Sequence, residues 1–199
     1  MRMLRLGWSA VAALVLMSGP GLRAQTPPAL SATWERGGIV RLKEGARVSR
    51  LNVKEDIVGC LGQLFDPTTG ERFGSGEGTG RVLDVATKQG RRFLLLSAAA
   101  AANCNVQGQC GAAAWPNVTL IWMEIAADLS VVRKQTFAII DCRAPRWVDG
   151  APDDWADTFG LANGALRIAF VESSGPADVH GVASYDHKTP ERGISVSGR

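Results

Sequence analysis

The chain has 199 residues, 22 of them Lys or Arg and 19 Asp or Glu, for a formal charge of +3. The whole excess sits at Arg2, Arg5 and Arg23, so beyond residue 24 the basic and acidic residues balance. A neutral body excludes the broad basic footprint of a nucleic-acid or anionic-membrane binder. Its length suits one domain with a real hydrophobic core.

Arg2 and Arg5 precede an almost wholly apolar stretch over 8–17, which Gly19, Pro20 and Gly21 break. The stretch is too short for the ~20 residues of a bilayer span. With Leu22 and Ala24 ahead of Gln25, residues 1–24 read as a secretory signal peptide cut after Ala24. The expected location is secreted or periplasmic, with no membrane association after cleavage. Residues 25–45, opened by Thr26, Pro27 and Pro28, read as a flexible N-terminal segment, and 46–199 as one β domain. The basic run over 36–50, interrupted by glycine and glutamate, reads as a solvated face.

From Ala46 the apolar residues come in short groups between turn signals, without helical stripes. Val48, Leu51 and Val53 lead into a run over 57–65, closed by Asp66, Pro67, Thr68, Thr69 and Gly70. Val82, Leu83 and Val85 precede a basic turn over 88–92. The uninterrupted run from Phe93 to Leu96 suits a strand buried on both faces. Further strand-like runs lie at 118–123, 131–141, 165–171, 179–184 and 193–197. About eight short strands with many glycines predict an all-β barrel or sandwich. The alanines of 98–102 predict a short helical turn over 98–103, because alanine is the best helix former.

Four cysteines in a secreted chain point to two disulfides, with three pairings open. Cys104 and Cys110 enclose a short loop, and Cys60 and Cys142 sit in separate strand-like runs, which favours Cys60 with Cys142 and Cys104 with Cys110. The spacing lacks a C-x-x-C zinc pattern. His180, Asp186 and His187 read as polar surface positions, and Asp149, Asp153, Asp154 and Asp157 as a solvated loop without the regular spacing of a calcium loop. No metal or other cofactor is expected. The sequon at Asn117 falls inside a strand. Trp34, Trp115, Trp122, Trp147 and Trp155 read as barrel cover or as a ligand platform if they cluster on one exposed face.

Residues 78–104 run from a glycine-flanked strand start (Gly78, Thr79, Gly80) through a charged turn and an apolar strand to an alanine turn closed by Cys104. This order resembles the way trypsin-like (chymotrypsin-fold) serine peptidases, in particular bacterial secreted ones of the lysyl-endopeptidase type, present a histidine immediately before a cysteine. Asn103 stands in the histidine position. The runs at 117–125 and 136–143 are similar to the paired strands that follow in that family, Asp157 lies about where it has its aspartate, and 179–198 is similar to the segment leading toward its nucleophile loop.

The resemblance covers about 59–199 and implies a trypsin-like first β-barrel with part of a second. It does not carry the catalytic groups over. Asparagine has no titrating amide to serve as general base, and no G-D-S-G or related nucleophile sequence occurs. Ser173 and Ser174, followed by Gly175 and Pro176, read as a turn. The implied function is that of a secreted, non-catalytic homologue binding a protein or peptide, with no catalytic residue assigned. Alternatives are an active serine endopeptidase, if this chain is a fragment of a longer protein, and a structural or adhesion β-domain.

Overall fold

Two strands that are apolar at nearly every position, instead of every second one, decide the architecture. The computed structural model describes residues 29–60, 63–65, 72–75, 78–101, 116–149, 159–173 and 176–198. Its strands are β1 (Leu30–Glu35), β2 (Ile39–Glu44), β3 (Arg47–Asn52), β4 (Gln63–Phe65), β5 (Arg72–Ser75), β6 (Thr79–Lys88), β7 (Arg91–Ala100), β8 (Asn117–Ile125), β9 (Val131–Ile140), β10 (Arg146–Val148), β11 (Ala165–Ser173), β12 (Asp178–Asp186) and β13 (Ser195–Ser197). All nine residues of β8 are buried, as are six consecutive residues of β7. Such strands need cover on both faces.

The cover comes from two other sheets. The central sheet has the order β6-β7-β8-β9, and the flanking sheets are β1-β2-β3 and β10-β11-β12-β13, with β4-β5 as a separate pair. Because side chains alternate along a strand, Phe93, Leu95, Val118, Leu120 and Trp122 point to one face. They pack there against Leu166, Ile168, Phe170, Ala183 and Tyr185. Leu94, Leu96, Ile121, Met123 and Ile125 point to the other face and meet Leu30, Val40 and Leu42. Each pairing in these sheets is antiparallel. The chain reverses from β6 to β7 through Gln89 and Gly90, both at positive φ (51° and 74°), which matches the twist of a two-residue hairpin.

The all-β reading holds, with three corrections to its detail. Among the described residues each sheet is open, since β9 does not pair with β6 nor β13 with β10. A barrel wall with a solvated outer face could not cover two strands that are apolar on both sides, and stacking can. The helical turn expected over 98–103 is replaced, as far as residue 101, by extended chain: Ala98 and Ala99 pair with Gly80 and Thr79 on one side and with Thr119 and Val118 on the other. Hydrogen bonding from two neighbouring strands outweighs alanine's helix propensity. Finally, the flexible segment expected over 25–45 is ordered from Leu30. The alternation of β2, with Val40 and Leu42 at 0% exposure between Arg41 and Lys43, seals one face of the central sheet.

Charged residues close the ends of this core. The buried carboxylate of Glu44 on β2 accepts from Arg92 on β7 and Arg47 on β3, both at 2.5 Å, tying an outer sheet to the central one. Glu124 on β8 accepts from Arg91 and Arg133 on the two adjacent strands, both at 2.6 Å. Those arginines also lie over the Phe93 and Trp122 rings at 5.3 Å. The hydrogen bond from Arg91, then that from Arg133, holds the Glu124 carboxyl at about 2 against the opposing effect of burial. A Cβ at position 181 would collide with the ring of Phe170, its direct partner on β11, so only a glycine lets that ring lie across β12.

Two outcomes follow for stability. Leu95→Ala should cost about 2–5 kcal/mol, the range for emptying a packed core site, whereas Val132→Ala on the exposed edge of β9 should stay within about 0.5 kcal/mol; urea denaturation of both variants measures the contrast. Glu124 has a folded-state pKa below its unfolded value, so its contribution is fully present above the unfolded carboxylate range and is lost as pH falls toward 2. Glu124→Gln is therefore expected to destabilise by on the order of 1–2 kcal/mol at pH 7, a difference that shrinks steadily between about pH 5 and pH 2 in denaturation curves.

Candidate functional site

The outward face of the β10–β13 sheet carries the candidate site. In β11 the inward residues Leu166 and Ile168 are buried, which turns Arg167 outward. Arg167 lies directly opposite Ser184 on β12, and Ser184 opposite Ser195 on β13, so the three share one face. The chain over 187–194, held against the inter-sheet core by Pro190 and Ile194, forms the other wall. Between wall and sheet lies a groove of about 300 Å³ lined by Arg167, Ser184, Asp186, Thr189, Arg192 and Ser195, among others.

The wall is fixed to the central sheet by groups of unusual reach. The buried Trp122 indole donates to the Pro190 carbonyl at 2.9 Å. Lys88 donates to the Lys188 carbonyl at 3.0 Å and to Glu191 at 2.8 Å, and that hydrogen bond is the first cause holding the Glu191 carboxyl below the usual range. Gln135 on β9 accepts from the Ile194 amide at 2.8 Å. Gly193, at φ 69°, makes the bend into β13, where any side chain would overlap the Gln135 amide. A site walled by such anchored chain is held in one geometry before a ligand arrives.

At the start of the wall, His187 Nδ1 lies 2.8 Å from Asp84 Oδ2, and Tyr185 donates to the same oxygen at 2.7 Å. Burial first, and then the Asp84 contact, pushes the Tyr185 hydroxyl pKa up, so it stays a donor. Asp84 reaches this place through a β-bulge. The register shifts between Val82 and Asp84, leaving Leu83 as the extra residue and setting Asp84 opposite Leu95. Without that shift the carboxylate would face the opposite, apolar core among Leu94 and Leu96, because a one-residue slip reverses every side chain.

The residues singled out in the sequence are dispersed. His180 pairs with Asp149 at 3.3 Å and His187 with Asp84, while Asp186 accepts from the Lys188 amide at 2.8 Å. Among the described residues no group of three such side chains is arranged to hold a metal. Cys60 and Cys142 are both disulfide-bonded. Cys60 pairs its amide with the Ala101 carbonyl, and the Cys142 amide donates to Asn117 at 3.0 Å. Cys104, Cys110, Asn103, Trp115, Trp155, Asp153, Asp154, Asp157 and Ser174 lie outside the described residues. Asn117 is wholly buried, Trp34 is partly buried, and Trp147 is 42% exposed. Ser173 ends β11, its amide bonded to the Pro145 carbonyl. The groove and the Asp84–His187 contact went unnoticed in the sequence. An aspartate interrupting the apolar run 82–85 was the one available signal.

No protein-family model matches the chain, and neither a curated protein nor a solved structure is significantly similar to it.

If the indole bond is what holds the wall, Trp122→Phe leaves the Pro190 carbonyl with the Gly193 amide as its one remaining donor among the described residues, at a cost of about 0.5–1.5 kcal/mol. Hydrogen exchange at the Gly193 and His187 amides should then accelerate about tenfold or more, with the β1–β3 amides unchanged. Uniform acceleration across all three sheets would show global loosening instead.

Proposed function

We propose that this chain is a secreted or periplasmic, non-catalytic relative of trypsin-like serine peptidases that binds a protein or peptide ligand in the groove between β11–β13 and residues 187–194. One observation carries the binding role: the groove is polar and anchored, and its two arginines, Arg167 and Arg192, have no ion pair among the described residues. Arginine in a prepared concave site is a recurrent anchor for ligands. The relationship to peptidases is supported by the order of the motifs at 78–104, 117–143 and 179–198. Its non-catalytic character is supported by Asn103, which cannot take a proton from a nucleophile.

An enzymatic reading is favoured by a different observation. His187 has Nδ1 against a carboxylate and is half exposed, the arrangement in which a histidine is oriented to act as a base through its other nitrogen. That reading needs a nucleophile within reach, supplied by a serine beyond those described or by chain continuing past residue 199.

Labelling the mature protein with a fluorophosphonate and measuring its intact mass separates the two. The expected result is a chain starting at Gln25 with no adduct and no turnover of casein. A stoichiometric adduct abolished by His187→Gln would establish the enzyme and remove the non-catalytic reading. Display selection with random peptides tests the binding role directly: clones that lose binding to an Arg167→Gln/Arg192→Gln variant are expected, and failure to enrich any would overturn it.

A further inference from the structure

We infer that the group this groove recognises is a peptide carboxylate, an inference that rests on the binding role proposed above. The argument starts from charge. The lining holds two guanidinium groups, Arg167 and Arg192, and one carboxylate, Asp186, and so a net single positive charge. That balance matches a monoanion, and Asp186 would repel the second charge of a phosphate dianion. Asp186 itself is fixed by the Lys188 amide at 2.8 Å, which keeps it in place at the groove margin.

Geometry gives the same answer. A guanidinium presents paired N–H groups in a plane, which fits the two oxygens of a carboxylate in a fork. Arg167 stands at one end of a cross-strand row whose other members, Ser184 and Ser195, carry hydroxyls. The row therefore offers a charged donor beside neutral ones. Ser184 Oγ reaches the Ser195 carbonyl only at 3.5 Å, a long contact it can give up to a ligand. Arg192, on the anchored wall, lines the same groove. A volume of about 300 Å³ lies at the lower limit for ligand sites, enough for an acidic side chain or a chain terminus and little more.

The ligand carboxylate has two sources, a Glu or Asp side chain and a peptide C-terminus. Four short probes distinguish them: acetyl-AAEAA-amide, acetyl-AAQAA-amide, acetyl-AAAAA acid and acetyl-AAAAA-amide, titrated into the 15N-labelled mature protein and followed by amide shifts of residues 165–167, 182–186 and 192–197. Saturable shifts are expected with one or both carboxylate probes, with at least tenfold weaker binding of the matched neutral probe. The preference should fall between 50 and 300 mM salt, as an ion pair screened at the surface requires. Arg167→Gln and Arg192→Gln are each expected to weaken the carboxylate probe at least fivefold. Because both arginines are exposed and without ion pairs among the described residues, the variants should melt with the parent, and Arg167→Lys should fall between. Equal shifts from acidic and neutral probes would overturn the carboxylate inference while leaving the binding role standing. No shifts from any probe, where display selection still yields groove-dependent neutral peptides, would do the same. No shifts and no selected peptides would remove both.

Discussion

The structure depends on burying both faces of β7 and β8. Phe93 to Leu96 contribute alternate side chains to two separate cores, so neither flanking sheet is optional. At roughly 25 cal/mol for each Å² of apolar surface removed from water, two stacked interfaces supply what a small single-sided sheet cannot. The cost is that every polar group on the central sheet must be dealt with where it stands. Thr119, buried on β8, accepts from the Val58 amide through its hydroxyl at 3.1 Å. Asn117, at 0% exposure, accepts from the Cys142 amide through Oδ1, while its Nδ2 is buried with no hydrogen-bond partner among the described residues.

Carboxylates meet the same constraint at the margins of the sheet. Glu44 and Glu124 each sit at 7% exposure or less, and each receives two arginines that reach in from more exposed positions. A buried carboxylate with two charge-assisted hydrogen bonds is tolerated where an unpaired one would have to be neutralised. Asp84 meets the constraint by a change of backbone register, which carries it out of one apolar layer to Tyr185 and His187. The bulge is thus a consequence of two-sided burial, and it also ties down the first residue of the groove wall.

Much of this was legible in the chain, and the exceptions share a cause. The run at 93–96 reads as a strand buried on both faces because apolar residues occupy consecutive positions, and β7 has that burial. The hairpin turn at Gln89–Gly90 follows from local chemistry. Ala98–Ala100 misleads because the helix preference of alanine is local, whereas the pairing that overrides it comes from β6 and β8, the latter beginning at Asn117, far along the chain. Ile39–Glu44 misleads differently: its charges mask a period-two pattern, and Val40 and Leu42 alone reveal the buried side. The site is the least legible part. Trp122 and Pro190 are 68 residues apart, and Asp84 and His187 103 apart, so no spacing rule connects them.

The alternation of side chains along β11 and β12 also explains how one fold can hold a site rigidly, since the groove is bordered by core residues Leu166 and Tyr185 while its polar side chains lie outside the core. The groove-facing side chains, Arg167, Ser184 and Ser195, point away from the core and can be exchanged without disturbing packing. Their positions nevertheless inherit the stiffness of the sheet beneath, through Leu166, Ala183 and Tyr185 on the reverse side of the same strands. The wall inherits it through Trp122, which is at once a core residue, stacked on Phe93 with ring centroids 6.0 Å apart, and the donor that holds Pro190. Beside the Lys88, Gln135 and Asp84 contacts from the neighbouring strands, the direct link from the doubly buried β8 to the groove wall is a side chain with an apolar body and one polar edge, a role that tryptophan's indole N–H suits and phenylalanine cannot fill.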